Sequence, residues 1–198
     1  MDRVSELTMS EPQPETRDLD LMDRLKAGDQ RAMQVLYNRH YQRIYRFILR
    51  QIRDEMMAED ILNDVFLDCW RQAGKFEGRS AVSTWLTAIA YNKSISYLRK
   101  RREMQVADGQ AEALVDEADG PQTLVMKDDK GDQIRDAMEE LSLDHRTVID
   151  LAYYHEMGVK DIAEVLDIAA NTVKTRLFHA RKNLHALLLE RGIDRGWP

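Results

Sequence analysis

The sequence predicts an all-α protein: two small helical domains joined by a flexible linker. Three observations carry this expectation. Leu, Ala, Met, Glu, Arg and Asp dominate the 198 residues, glycine is sparse and alternating β-type runs are hard to find. Apolar residues recur at helical spacing over long stretches. Residues 103–127, EMQVADGQAEALVDEADGPQTLVMK, hold Gly109, Gly120 and Pro121 with little periodicity and divide the chain. A hydrophobic content of 43% is enough to build a packed core.

Taken in order, residues 1–17 are rich in Pro, Ser and Glu and predict a disordered tail. The first helical domain spans 18–102. Asp29 is placed to cap the helix QRAMQVLYNRHYQRIYRFILRQI, and Asp54 stands in the connector that follows. In MMAEDILNDVFLDCWRQ, Met57, Ala58, Ile61, Leu62, Val65, Phe66, Cys69 and Trp70 form an apolar side. Asp60, Asp64 and Asp68 line up on the opposite side at i, i+4, i+8. Like charges at that spacing repel by about 0.2–0.5 kcal/mol per pair, a cost that a basic partner relieves. The plain alternative is a solvated acidic face, with Arg71 helping Asp68. A break at Gly74–Gly78 precedes KFEGRSAVSTWLTAIAYNKSISYLRKRR, in which Ser83 or Thr84 is placed to cap a helix ending in the basic run Arg99–Arg102. Trp85 with Phe76 offers aromatic faces to unstacked bases, or else fills a helical core. Asn92, Lys93, Ser96 and Arg99 share one face and include base-reading side-chain types.

After the linker at 103–127, a second helical domain spans 128–190, followed by a tail at 191–198. Its most informative stretch is AANTVKTRLFHARKNL. Val173, Leu177, Ala180 and Leu184 face a core, whereas Thr172, Thr175, Arg176 and His179 fall on a polar stripe. VKDIAEVLDIAA supplies a shorter helix and a tight turn just upstream. Two short helices so joined make a helix-turn-helix, whose second helix enters the major groove.

The net charge of −6 is unevenly placed. Lys93 and Arg99–Arg102 form one basic cluster; Lys174, Arg176, Arg181 and Lys182 form another; acids crowd the linker between them. Two basic faces flanking an acidic connector point to two nucleic-acid contacts. The single cysteine, Cys69, excludes an intrachain disulfide, and no His or Cys set suggests a metal or any other cofactor. His40 and His145 are expected at the surface or at caps. No apolar run is long enough to span a bilayer and the N-terminus lacks the apolar stretch of a signal peptide, so a cytoplasmic protein without membrane insertion is expected.

These segments, in this order, resemble an extracytoplasmic-function (ECF) sigma factor of the sigma-70 superfamily. AEDILNDVFLDCWRQ resembles the core-polymerase-binding helix of sigma region two. FEGRSAVSTWLTAIAYNKSISYLRKRR resembles the loop and helix that recognise and open the minus-ten element. ELSLDHRTVIDLAYYHEMGVKDIAEVLDIAANTVKTRLFHARKNL resembles region four, whose helix-turn-helix binds the minus-thirty-five element. The resemblance covers about Leu19–Arg102 and Asp132–Leu189.

The resemblance implies that Asp60, Asn63, Asp64 and Phe66 meet the clamp helices of the largest subunit of core RNA polymerase. It implies that Ser80, Ser83, Thr84 and Trp85 lie at an unstacked promoter base, and that Asn92, Lys93, Ser96, Arg99 and Arg101 line the promoter side of the next helix. Asn171, Thr172, Lys174, Thr175, Arg176 and His179 would approach the upstream element, with Arg181 on a phosphate. An anti-sigma factor is implied as a further partner. The chain departs from the family where Ser96 replaces a frequent Asp, Asp167 and Asn171 replace frequent glycines, and Ala169 stands where a capping Ser is common.

The function expected is thus promoter-specific initiation without catalysis. A ligand-sensing helix-turn-helix regulator is the alternative, but it has no use for the acidic helix or the FEGRSAVSTW loop. An enzyme lacks its nucleophile–base set, phosphate-binding glycine loop or metal cluster.

Overall fold

The computed structural model describes residues 17–107 and 129–193. The tail expected over 1–17 (save Arg17), most of the expected linker and residues 194–198 lie outside the described residues. Eight α-helices account for nearly all of what is described, and no strand occurs among the described residues.

The first four helices form one layer of packing. Helix α1 (Asp18–Lys26) buries Leu21, Met22 and Leu25. Helix α2 (Gln30–Ile52) starts where the Asp29 carboxylate accepts a hydrogen bond from the Arg31 N–H. Helix α3 (Glu55–Gln72) starts in the same way at Asp54, which accepts from the Met57 N–H at 3.0 Å. Both caps satisfy donors that a helix N-terminus otherwise leaves open. A 3-10 turn (Ala73–Lys75) and a loop through Gly78, at φ 71°, lead to α4 (Val82–Ala107).

Helix α4 differs from expectation at both ends. It begins at Val82, so Ser83 and Thr84 lie inside its first turn and do not cap it; the Thr87 hydroxyl donates back to the Ser83 carbonyl at 2.8 Å. It continues to Ala107, five residues into the stretch read as linker. Glu103–Ala107 contain no Gly or Pro, so nothing in them stops a helix already under way. The core between these helices holds Leu36, Phe47, Ile48, Val65, Leu86 and Ala90, together with Cys69, whose thiol burial pushes up to about 12. His40 is a correction: it is buried, with Nε2 2.8 Å from Asp18 Oδ2, and burial holds its pKa below the ordinary value.

The second set comprises α5 (Asp129–Glu139), α6 (Leu143–Tyr153), α7 (Val159–Leu166) and α8 (Ala170–Glu190). Ser142 caps α6, and the Asp161 carboxylate accepts from the Gly158 N–H at the start of α7. Helix α7 ends at Asp167 in the left-handed conformation, φ 51°. Asp tolerates that region better than most residues, which lets it stand in a turn often made by glycine. Val173, Leu177, Ala180, Leu184 and Leu188 of α8 pack against Ile162, Val165 and Leu151 in one core.

The two sets touch. Helix α4 lies along α7, and α2 meets α6. At the α2–α6 junction Arg50 donates two hydrogen bonds to the fully buried Asp150 carboxylate, at 2.9 and 2.6 Å, with the Tyr154 ring 4.7 Å from the guanidinium. Thr147 donates to Gln51 Oε1 at 2.8 Å, Arg53 donates to the Glu139 carbonyl, and the buried His155 ring meets Phe47 edge-on. Burial pushes the Asp150 carboxyl up, and Arg50 pulls it back.

Candidate nucleic-acid and protein interfaces

Helix α3 turns its apolar side inward, as its pattern requires, and holds Asp60, Asn63 and Asp64 out to solvent. Phe66 is not part of that outer face. It is buried, its ring 4.7 Å from Tyr37, so it anchors α3 and offers no surface to a partner. Asp68 is half-buried, and its partner is Lys93 of α4 at 2.8 Å, not Arg71.

Ser80 and Ser83 are partly exposed at the loop and the first turn of α4. Thr84 is buried, which corrects the expectation of a base contact there: it supports the turn from inside. Trp85 is half-buried and tilts against the buried Phe76 ring at 5.2 Å, so its indole is largely committed to the core edge. Further along α4, Asn92, Ser96, Arg99 and Arg101 are exposed. Lys93 shares their sequence neighbourhood but sends its ammonium across a groove to Asp68 and, at 3.6 Å, to Asp64.

Helix α8 presents Asn171, Thr172, Lys174, Thr175, His179 and Arg181 on exposed positions while Val173 and Leu177 lock its other side. Ala169 occupies the N-cap without a side-chain hydrogen bond. Arg176 is partly buried and pairs with Asp144 at 3.2 Å. Arg181 lies 5.7 Å from the Tyr153 ring centre. One residue escaped sequence reasoning: Phe178 is 64% exposed and stands edge-on to His179. Its signal was spacing, since it falls seven residues after Asn171 and four after Lys174, on the outer stripe.

An exposed polar stripe on the second helix of a helix-turn-helix, beside a separate helical module with its own cationic helix, defines a DNA-binding transcription protein. Comparison with known proteins makes the assignment specific. Residues 36–104 match the model of sigma-70 region 2, and residues 131–184 match that of sigma-70 region 4. The chain is 32% identical over 171 residues to the ECF RNA polymerase sigma factor SigL of Mycobacterium tuberculosis, covering 85% of this chain and 96% of that one. It is 29% identical over 182 residues to the RNA polymerase sigma-H factor of Pseudomonas aeruginosa, covering 87% and 94%. Among solved structures, the sigma factor RpoE from Bartonella quintana, in complex with the anti-sigma factor NepR, matches with a TM-score of 0.65 at 27% identity, covering 82% of this chain and 98% of that one.

The chain belongs to the ECF sigma factors of the sigma-70 family. It is a non-enzymatic factor that directs transcription initiation, with RNA polymerase and promoter DNA as its partners. No helix among the described residues is long and apolar enough to cross a membrane.

Proposed function

We propose that the two helical units divide the work of initiation. The domain at 18–102 binds polymerase and reads the minus-ten element, and the domain at 128–190 reads the minus-thirty-five element. Asp60, Asn63 and Asp64 form the face toward the clamp helices of the largest polymerase subunit. Ser80, Ser83, Asn92, Lys93, Ser96, Arg99 and Arg101 face the minus-ten strand, with Trp85 bordering the base-holding loop. Asn171, Thr172, Lys174, Thr175, Arg176 and His179 enter the upstream major groove, and Arg181 meets a phosphate. Phe178 extends this stripe with an apolar surface suited to a thymine methyl.

The observation that carries this reading is the exposure of the acidic stripe on α3. Asp60 and Asp64 stand one turn apart and both are exposed; Lys93, 3.6 Å from Asp64, offsets part of their repulsion, and a cationic partner offsets the rest. The experiment is transcription in vitro with purified core polymerase and candidate promoters. Initiation that depends on the added protein is expected. Asp60→Lys with Asp64→Lys is expected to weaken core association more than tenfold while leaving the helical content unchanged. Unchanged core association would remove the assignment of this face.

An anti-sigma factor is the further partner we propose, acting on a cytoplasmic protein. The support is the likeness to a sigma factor solved with its anti-sigma factor.

A further inference from the structure

Lys93 stands where two faces meet. Its backbone belongs to α4, beside the exposed Asn92 and Ser96. Its ammonium turns into an open groove of about 790 Å³ between α3 and α4, walled by Asp60, Asn63 and Asp64 on the α3 side and by Asn92 and Ser96 on the α4 side. There it lies 2.8 Å from Asp68 and 3.6 Å from Asp64. The Lys93 and Asp68 side chains are 24% and 27% exposed, whereas Asp64 is 64% exposed.

The arrangement is therefore graded. Asp68 is the inner, close partner; Asp64 is the outer, more distant one and is open to a visitor. Lysine is a point charge on a flexible four-carbon stem, so its ammonium follows the local potential. A cationic surface set against Asp64 and Asp60 competes for those carboxylates and raises the positive potential at Lys93. A phosphate on the α4 side lowers it. One ammonium is thus pulled in opposite directions by the acids of α3 and by DNA.

We infer that Asp68 is a positioning residue for the promoter contact: with Asp64 it holds Lys93 away from DNA in the free chain, and a cationic partner on the acidic stripe releases Lys93 toward a phosphate. This deepens the reading proposed above and rests on it. It makes polymerase docking and strand binding cooperative through one side chain. Pairs this exposed are weak, so the device is a bias of roughly two- to fivefold, not an on–off lock.

The test uses the full-length chain and a fluorescein-labelled single-stranded DNA probe, with anisotropy measured from roughly 50 to 200 mM salt. Asp68→Asn is expected to tighten binding about two- to fivefold and to steepen the log–log salt dependence by roughly 0.7, one additional phosphate contact. Adding Lys93→Gln to that variant is expected to abolish both changes. Asp68→Glu keeps the charge and is expected to bind as the parent does. In the holoenzyme, the Asp68→Asn effect is expected to shrink below about twofold, because polymerase already engages the stripe. The inference is overturned by an Asp68→Asn variant, folded by circular dichroism, with unchanged affinity and salt slope. It is equally overturned by a gain that survives Lys93→Gln, by a gain that Asp68→Glu also shows, or by one that persists undiminished in holoenzyme. Transcription by the parent chain with core polymerase separates these results from failure of the underlying reading. If the parent initiates, only the Lys93 inference falls; if it does not, the assignment itself does.

Discussion

Arg50–Asp150 and Lys93–Asp68 are both contacts between a long cationic side chain and an aspartate on another helix, and they sit in opposite surroundings. The first lies at the α2–α6 junction, with the carboxylate wholly buried and gripped by two nitrogens. The second lies in an open groove, held by one nitrogen, with both side chains still reached by water. Burial makes the difference. A buried pair is costly to form and costlier to halve, because the remaining charge has no water to turn to. An exposed pair is nearly neutral and can be redistributed by whatever arrives. One pair fixes how two modules sit together; the other leaves a charge available for exchange.

Halving the junction pair is the largest way to break this contrast. Arg50→Met is expected to cost about 3–5 kcal/mol in urea unfolding, and Arg50→Met with Asp150→Leu to recover most of that loss. A single variant within about 1 kcal/mol of the parent would mean that the Asp150 carboxylate is not held as described.

The pH dependence of the same junction comes next. His155 is buried beside Phe47, and among the described residues neither ring nitrogen has a hydrogen-bond partner. Burial, reinforced by Arg43 and Arg50, lowers its pKa to about 3. The folded chain therefore binds fewer protons than the unfolded chain between pH 6.5 and about 3. His155 contributes full stability above pH 6.5 and loses it as the pH falls toward 3, at about 1.4 kcal/mol per unit. By pH 5 the loss is about 2 kcal/mol. Asp150 works with the opposite sign, since its raised carboxyl favours the folded state at low pH. The measurement is thus the difference between the parent and His155→Phe at pH 7 and pH 5. The Phe variant is expected to lack this loss, and parallel curves would refute the account.

Two smaller changes sharpen the contrast from the exposed side. Ala169→Ser supplies the missing side-chain cap of α8 and is expected to add about 0.5–1 kcal/mol in thermal unfolding. Asp68→Asn is expected to change stability by only about 0.2–1 kcal/mol, well short of the junction variants. A loss comparable with that of Arg50→Met would mean that the groove pair is structural too.

Much of this fold was legible from local chemistry. The Asp29 cap, the buried side of α3 and the inner stripe of α8 follow from spacing and from what single side chains do; the cap at Asp54 is added by the structure, and the turn at Asp167 is marked only by the resemblance. Phe66 and Thr84 were misread because a family motif marks a segment, not which of its side chains points outward. Phe178 lies on the outer stripe by spacing and escapes a reading that looks there for polar side chains. The junction was not legible at all. Arg50 and Asp150 are a hundred residues apart, and neither differs in its local pattern from a solvated charge. Only the packing of α2 on α6 tells them apart.

The contact between α4 and α7 has a consequence for distance. Elements named for positions ten and thirty-five are about 25 base pairs apart, roughly 85 Å of duplex at about 3.4 Å per step. With α4 held against α7, the neighbour of α8, the closed chain cannot set α4 and α8 at both ends of that span. Under the proposed assignment, simultaneous engagement parts Arg50 from Asp150 and returns the His155 imidazole to water. A ring that is silent near neutrality in the closed chain then titrates near pH 6.5, so proton uptake at that site becomes a readout of how far apart the modules stand.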